Sequence, residues 1–96
     1  MDVLVTYDVS TTDADGRRRL RNVAQACTNY GQRVQQSVFE CTVSRAQYEQ
    51  LIDELTSIID EVEDSLRAYR LGQPTDETIE TWGLDDTMDF DEPLVL

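Results

Sequence analysis

Apolar positions alternate along Val3–Val9. Val3, Val5, Tyr7 and Val9 share one face, and Leu4, Thr6 and Asp8 share the other. A period of two predicts a strand. Because both faces begin apolar, that strand is expected to be central and covered on both sides. Ser10 to Asp15 form a polar loop, with Thr12 and Asp13 as N-cap candidates and Asp15 suited to a first turn. The period then changes. Leu20, Val23, Ala24 and Cys27 fall at i, i+3, i+4 and i+7, which predicts a helix over about 15–29, ended by Gly31. With that stripe inward, Arg17 and Arg21 flank it on one side, Arg19 flanks the other, and Arg18 points away.

RVQQSVFECTV, Arg33 to Val43, is strand-like but long for one strand, so a break is expected near Gln35-Gln36. Ser44 and Gln47 make a capping-box pattern, and Tyr48, Leu51, Ile52, Leu55, Ile58, Ile59 and Val62 repeat at helical spacing, predicting a helix to about Glu61. Ser65 to Leu71 reads as a strand closed by Gly72-Gln73-Pro74, and Ile79 to Trp82 as a short strand closed by Gly83. LDDTMDFDE is acidic loop, and PLVL ends the chain apolar. The order β-α-β-β-α-β predicts an α+β, ferredoxin-like sandwich over residues 1–83, with residues 84–96 as a C-terminal extension ending in a strand. Helices cover one sheet face, so a second copy is the expected lid on the other. A chain this short buries only part of its surface alone.

Composition narrows the chemistry. No stretch is long and apolar enough for a membrane helix, and the first residues run straight into a strand, so a cytoplasmic protein without a signal peptide or membrane contact is expected. Cys27 and Cys41 match no zinc spacing and read as a reduced buried pair. The absence of histidine removes the Ser-His and Cys-His nucleophile arrangements.

The formal charge is −12, and it is segregated. Residues 16–45 hold six arginines against Glu40 alone, while residues 46–96 hold two arginines against fifteen acids. All basic residues are arginine. A globally acidic surface repels nucleic acid at long range, yet a local arginine zone grips phosphate through its forked donors.

Asp8, at the end of a central strand, has two readings: a cap or partner for a nearby arginine, or a hard-metal ligand. Mg²⁺ keeps several waters and needs only one or two carboxylates. A two-fold axis near the strand end would pair Asp8 with its symmetry mate. Arg17, Arg18, Arg19 and Arg21 are either a solvated helix face or, in part and with Arg33, phosphate contacts that position nucleic acid without reading its sequence. Tyr7 and Phe39 are core residues or stacking platforms. SVFEC does not supply the basic-aromatic signature of an RNA-recognition motif. Ser37 is a hydrogen-bond donor without an accompanying base.

YDVS after the first strand, RRRLRNV, GQRVQQSVFEC and SLRAYRLG, at these spacings, resemble the CRISPR-associated protein 2 family, in the version found with type I-C systems. The resemblance covers residues 1 to about 72, with PLVL echoing the family's final strand. It implies a ferredoxin-like two-fold homodimer in which each C-terminal strand packs on the partner's sheet. It also implies a metal-dependent endonuclease acting on RNA or double-stranded DNA, with Asp8 as catalytic, Mg²⁺-binding residue. Tyr7, Arg33, Ser37 and Phe39 would surround Asp8, and arginines among 17–21 would contact phosphate. In spacer acquisition the dimer would bridge copies of a larger CRISPR-associated integrase and hold DNA. A non-catalytic scaffold and a toxin-type ribonuclease of the same fold are the alternatives. Family members tend to be neutral or basic, so nucleic-acid binding here is expected to rest on Arg17–Arg33, with the acidic second helix and tail facing away.

Overall fold

The computed structural model describes residues 1–72 and 79–83; the expected extension 84–96 and its PLVL strand lie outside the described residues. Among the described residues, five strands and two helices follow in the order β1 (Asp2–Asp8), α1 (Ala14–Thr28), β2 (Gly31–Gln35), β3 (Val38–Thr42), α2 (Arg45–Ile58), β4 (Ser65–Arg70) and β5 (Ile79–Gly83). The strands form one sheet in the order β2-β3-β1-β4-β5, with every neighbouring pair antiparallel. This is the α+β ferredoxin-like arrangement that the alternation of periods predicts, and β1 is central.

The first face of β1 is the core face. Val3, Val5 and Tyr7 are buried there with Phe39 and Cys41 of β3 and Leu66 and Ala68 of β4. Val23, Ala26 and Cys27 from α1 and Tyr48, Leu51 and Leu55 from α2 complete the same cluster. Each fully buried leucine or valine contributes about 1.5–3 kcal/mol relative to an exposed one. On the other face Leu4 and Thr6 are half-buried and Asp8 is exposed.

Local rules set the boundaries. The Asp13 carboxylate accepts the Gly16 N–H at 2.7 Å and caps α1. Ser44 and Gln47 exchange both bonds of the capping box at α2. The expected break falls at Gln36-Ser37, between β2 and β3, with a register shift between Arg33 and Gln35. Two expectations are corrected. Gly31 does not end α1: Asn29 caps that helix in right-handed geometry, and only Gly72 and Gly83 have positive φ among the described residues. Gly31 instead opens β2 where a Cβ would strike the Glu40 carbonyl oxygen and, at 2.6 Å, the Cys41 sulfur. α2 stops at Ile58 rather than Glu61, because Ile59 turns extended and the Asp60 N–H is taken by Asp64. Both cysteines are free and buried, and burial pushes the Cys27 thiol up to about 12.

Candidate functional site

Strand alternation divides the candidate residues between two faces. Tyr7 points into the helix-covered side, and its ring lies 6.2 Å from that of Phe39 with the planes 24° apart. Phe39 is fully buried, and Arg33 places its guanidinium carbon 5.1 Å from the Phe39 ring centre. The Tyr7 N–H donates to the Ser37 carbonyl at 3.1 Å, and the Tyr7 hydroxyl to the Gln36 carbonyl at 3.3 Å. Burial raises the Tyr7 phenol above its ordinary value, with the Cys27 thiol adding to the effect and Arg33 opposing it. Tyr7, Arg33, Ser37 and Phe39 therefore do come together. The period of two turns Asp8 to the side of β1 opposite Tyr7, where it is exposed. The aromatic rings are spent on the core rather than offered as stacking platforms.

Arg33 faces a shallow open cleft of about 760 Å³ between α1 and β2, lined by Arg21, Ala24, Gln25, Thr28, Arg33 and Phe39 among others. Arg21 and Arg33 are both exposed, and they converge there from different elements. Two guanidinium groups facing one open cleft present donors that match phosphate oxygens. Arg17, one turn before Arg21, is also exposed. Arg18 forms a solvent-exposed pair with Asp15 at 3.3 Å.

Arg19 has a different environment. Its Nε donates to Asp64 Oδ2 at 2.8 Å and its Nη2 reaches Asp64 Oδ1 and Glu63 Oε2, each at 3.3 Å. Asp64 is the one charged residue buried among the described residues. Its carboxylate also accepts the Ser10 N–H at 3.0 Å and the Asp60 N–H at 2.9 Å. Burial alone would raise this carboxyl; hydrogen bonds from Arg19, Asp60 and Ser10, with the Arg19 charge, hold it below the ordinary carboxylate value. Asp64 was not visible to sequence reasoning as a site residue. It sat in an acidic run, EVED, whose other members are exposed, and only its place just before an apolar alternation hinted at burial.

Asp8 is an exposed carboxylate, and no side-chain hydrogen bond or ion pair engages it among the described residues. Its register partner on β4 is Ser65. Among the described residues no group of three or more metal-ligating side chains gathers in one chain. Asp8 alone thus supplies one hard oxygen ligand, which suits a cation that keeps most of its waters. Among the described residues no helix is long and apolar enough to cross a membrane.

Comparison with known proteins gives one consistent answer. Residues 1–79 match the family described as CRISPR associated protein Cas2. The chain is 56% identical over its whole length to the CRISPR-associated endoribonuclease Cas2 1 of Moorella thermoacetica, covering 100% of both chains. It is 54% identical over 95 residues to the CRISPR-associated endonuclease Cas2 of Halalkalibacterium halodurans, covering 99% of each. Among solved structures, Cas2 of Streptococcus pyogenes superposes with a TM-score of 0.71 at 58% identity, over 75% of this chain and 87% of that one.

Proposed function

The chain belongs to the Cas2 family of CRISPR-associated proteins, and we propose that it works as a two-fold dimer that binds nucleic acid and hydrolyses its phosphodiester bonds with the help of a divalent cation. The observation that carries this reading is the exposed Asp8 carboxylate at the end of the central strand, on the face the helices leave open. Relatives that match nearly the whole chain carry endoribonuclease and endonuclease names. A second copy on the open face would bring the two Asp8 carboxylates toward one axis. Together they form a hard oxygen site suited to Mg²⁺, which when bound supplies charge stabilisation at the phosphoryl oxygens and acidifies water. Arg21 and Arg33 hold the phosphodiester backbone in the α1–β2 cleft, with Arg17 extending the track along α1. Such contacts set the position of the strand and carry no sequence preference.

The test uses purified protein with single-stranded RNA and duplex DNA, in Mg²⁺ and in chelator, for wild type and Asp8→Ala. Cleavage that needs Mg²⁺ and vanishes in the variant is expected. Cleavage that survives Asp8→Ala would remove Asp8 from the site.

A second reading is that the dimer serves as a scaffold that bridges copies of a larger CRISPR-associated integrase and holds DNA without cutting it. Duplex binding and co-elution with that integrase, without any cleavage, would select this reading.

A further inference from the structure

The buried Asp64 carboxylate has four donors: the Ser10 N–H and Arg19 Nη2 on Oδ1, and Arg19 Nε and the Asp60 N–H on Oδ2. A carboxylate has about four acceptor positions, so this one is saturated. Pairs like this are often replaceable by well-packed apolar residues with no loss of stability, so stability is a weak account of it. Its location supplies a better one. Ser65, the residue after Asp64, is the β4 partner of Asp8. Ser10, the residue that Asp64 grips through its backbone, lies two positions after Asp8. Asp8 is therefore bracketed on both sides by the same short segment.

The packing around that segment has no slack. A Cβ on Gly16, in the first turn of α1, would run into the Ser10 carbonyl oxygen, so the helix start presses on Ser10 directly. Gly83 lies with φ +86° where a Cβ would run into the Asp64 carbonyl oxygen, so β5 closes the other side. Arg19 spans from α1 to the segment before β4, and Asp64 in turn holds the loop leaving β1 through the Ser10 N–H.

We propose that Asp64 and Arg19 are positioning residues: a clamp that fixes the chain as it leaves Asp8 and so sets where that carboxylate is presented to the cation and the phosphodiester. The proposal rests on the reading of Asp8 as the acting acid. It follows from the demands of that site, since Mg²⁺ accepts ligands only in a narrow shell near 2.0–2.1 Å and displacements of about 1 Å in a reacting site cost on the order of 100-fold in rate. Neither residue touches substrate.

The test compares wild type with Asp64→Asn, which keeps the shape and removes the charge, and with Arg19→Lys, which keeps the charge and removes the fork. Leu55→Ala, buried in α2 and not bonded to Asp64 or Arg19 through its side chain, serves as a control for lost stability. All are assayed with Mg²⁺ and RNA or duplex DNA at a temperature where circular dichroism shows each fully folded. Asp64→Asn is expected to lower kcat on the order of 100-fold with KM held within about twofold, because the Arg21–Arg33 cleft is untouched. Arg19→Lys should fall between, and it stands in for Asp64→Asn where that variant does not fold. Leu55→Ala should keep kcat. Amide exchange at Ser10 should accelerate in the Asp64 and Arg19 variants and stay unchanged in the control. Folded variants that retain kcat within about threefold, or an unchanged Ser10 exchange rate, would overturn the clamp. If the wild-type protein cleaves nothing, the nuclease reading falls and not the clamp, which Ser10 exchange alone then upholds or overturns.

Discussion

Arg19 and Arg21 stand two positions apart in one run of arginines, and the fold gives them opposite surroundings. The Arg19 side chain is only 16% exposed and is committed to Asp64, a residue 45 positions away. Arg21 is exposed and faces Arg33 across an open cleft. The same residue type on the same helix is a tie beam in one case and, on the function proposed above, a phosphate-holding group in the other. What separates them is which side of the apolar stripe they flank. One flank meets the segment between α2 and β4, where Asp64 waits, and the other meets β2, which brings a second arginine and no acid. A cluster of basic residues is therefore not a unit of function. The folded chain sorts it by the partners it brings near.

The strongest way to break this contrast is to remove each arginine in turn and measure thermal unfolding. Arg19→Ala leaves the buried Asp64 carboxylate without its cation and should lower Tm on the order of 10 °C. Arg21→Ala should leave Tm within about 2 °C. Equal losses would mean that Arg19 is not committed to the fold in the way its geometry states.

Affinity should show the reverse order. Replacing Arg21 and Arg33 together by Ala should weaken duplex DNA binding by about tenfold or more at low salt. It should also reduce the dependence of log affinity on log salt by about 2, one for each lost phosphate contact. Fluorescence anisotropy across a salt series reads both. An unchanged slope would take the α1–β2 cleft out of the binding surface. The net charge of −12 makes the background attraction weak, so these two contacts weigh more than they would on a basic protein.

Acid titration sharpens the Arg19 side of the comparison. The Asp64 carboxyl is held below its ordinary value of 3.8 in the folded chain. A group with a depressed folded value contributes stability that is fully present above its unfolded value and is lost as pH falls through the folded one. Wild type should thus lose this contribution as pH drops below about 4, while Asp64→Asn starts lower and shows a shallower decline over that window. Parallel curves from denaturant unfolding at pH 5, 4 and 3 would contradict the assignment.

The same contrast shows what the chain made legible and what it did not. Periodicity placed β1, the α1 stripe through Leu20, Val23 and Cys27 (with Ala26 in the core where Ala24 was expected), the capping box at Ser44, and the break after Gln35, because each is a local rule with a local cause. The separation of Tyr7 from Asp8 was also present in the alternation. The Arg19–Asp64 pair was out of reach, since sequence spacing cannot say which of many acids a helix will meet across 45 residues. The stop of α2 at Ile58 was missed for a different reason: apolar spacing continues through Val62, but the Asp64 carboxylate, four residues on, captures the Asp60 N–H, and Val62 ends 78% exposed.

The smallest expected effect belongs to the arginine between the two extremes. Arg18 pairs with Asp15 at 3.3 Å, but the two side chains are 63% and 72% exposed, so solvent screens the attraction and both lose rotamer freedom to make it. Arg18→Ala should change stability by no more than about 0.5 kcal/mol. It points away from the cleft that Arg21 shares with Arg33, so its loss should also leave the salt dependence of DNA binding nearly unaltered. The measurement is the same anisotropy series, run beside Arg21→Ala. If Arg18→Ala weakens binding as much as Arg21→Ala does, the phosphate track follows the whole arginine run rather than one flank of α1. The division of that run by helix face, on which the comparison of Arg19 with Arg21 stands, would then describe the fold but not the binding surface.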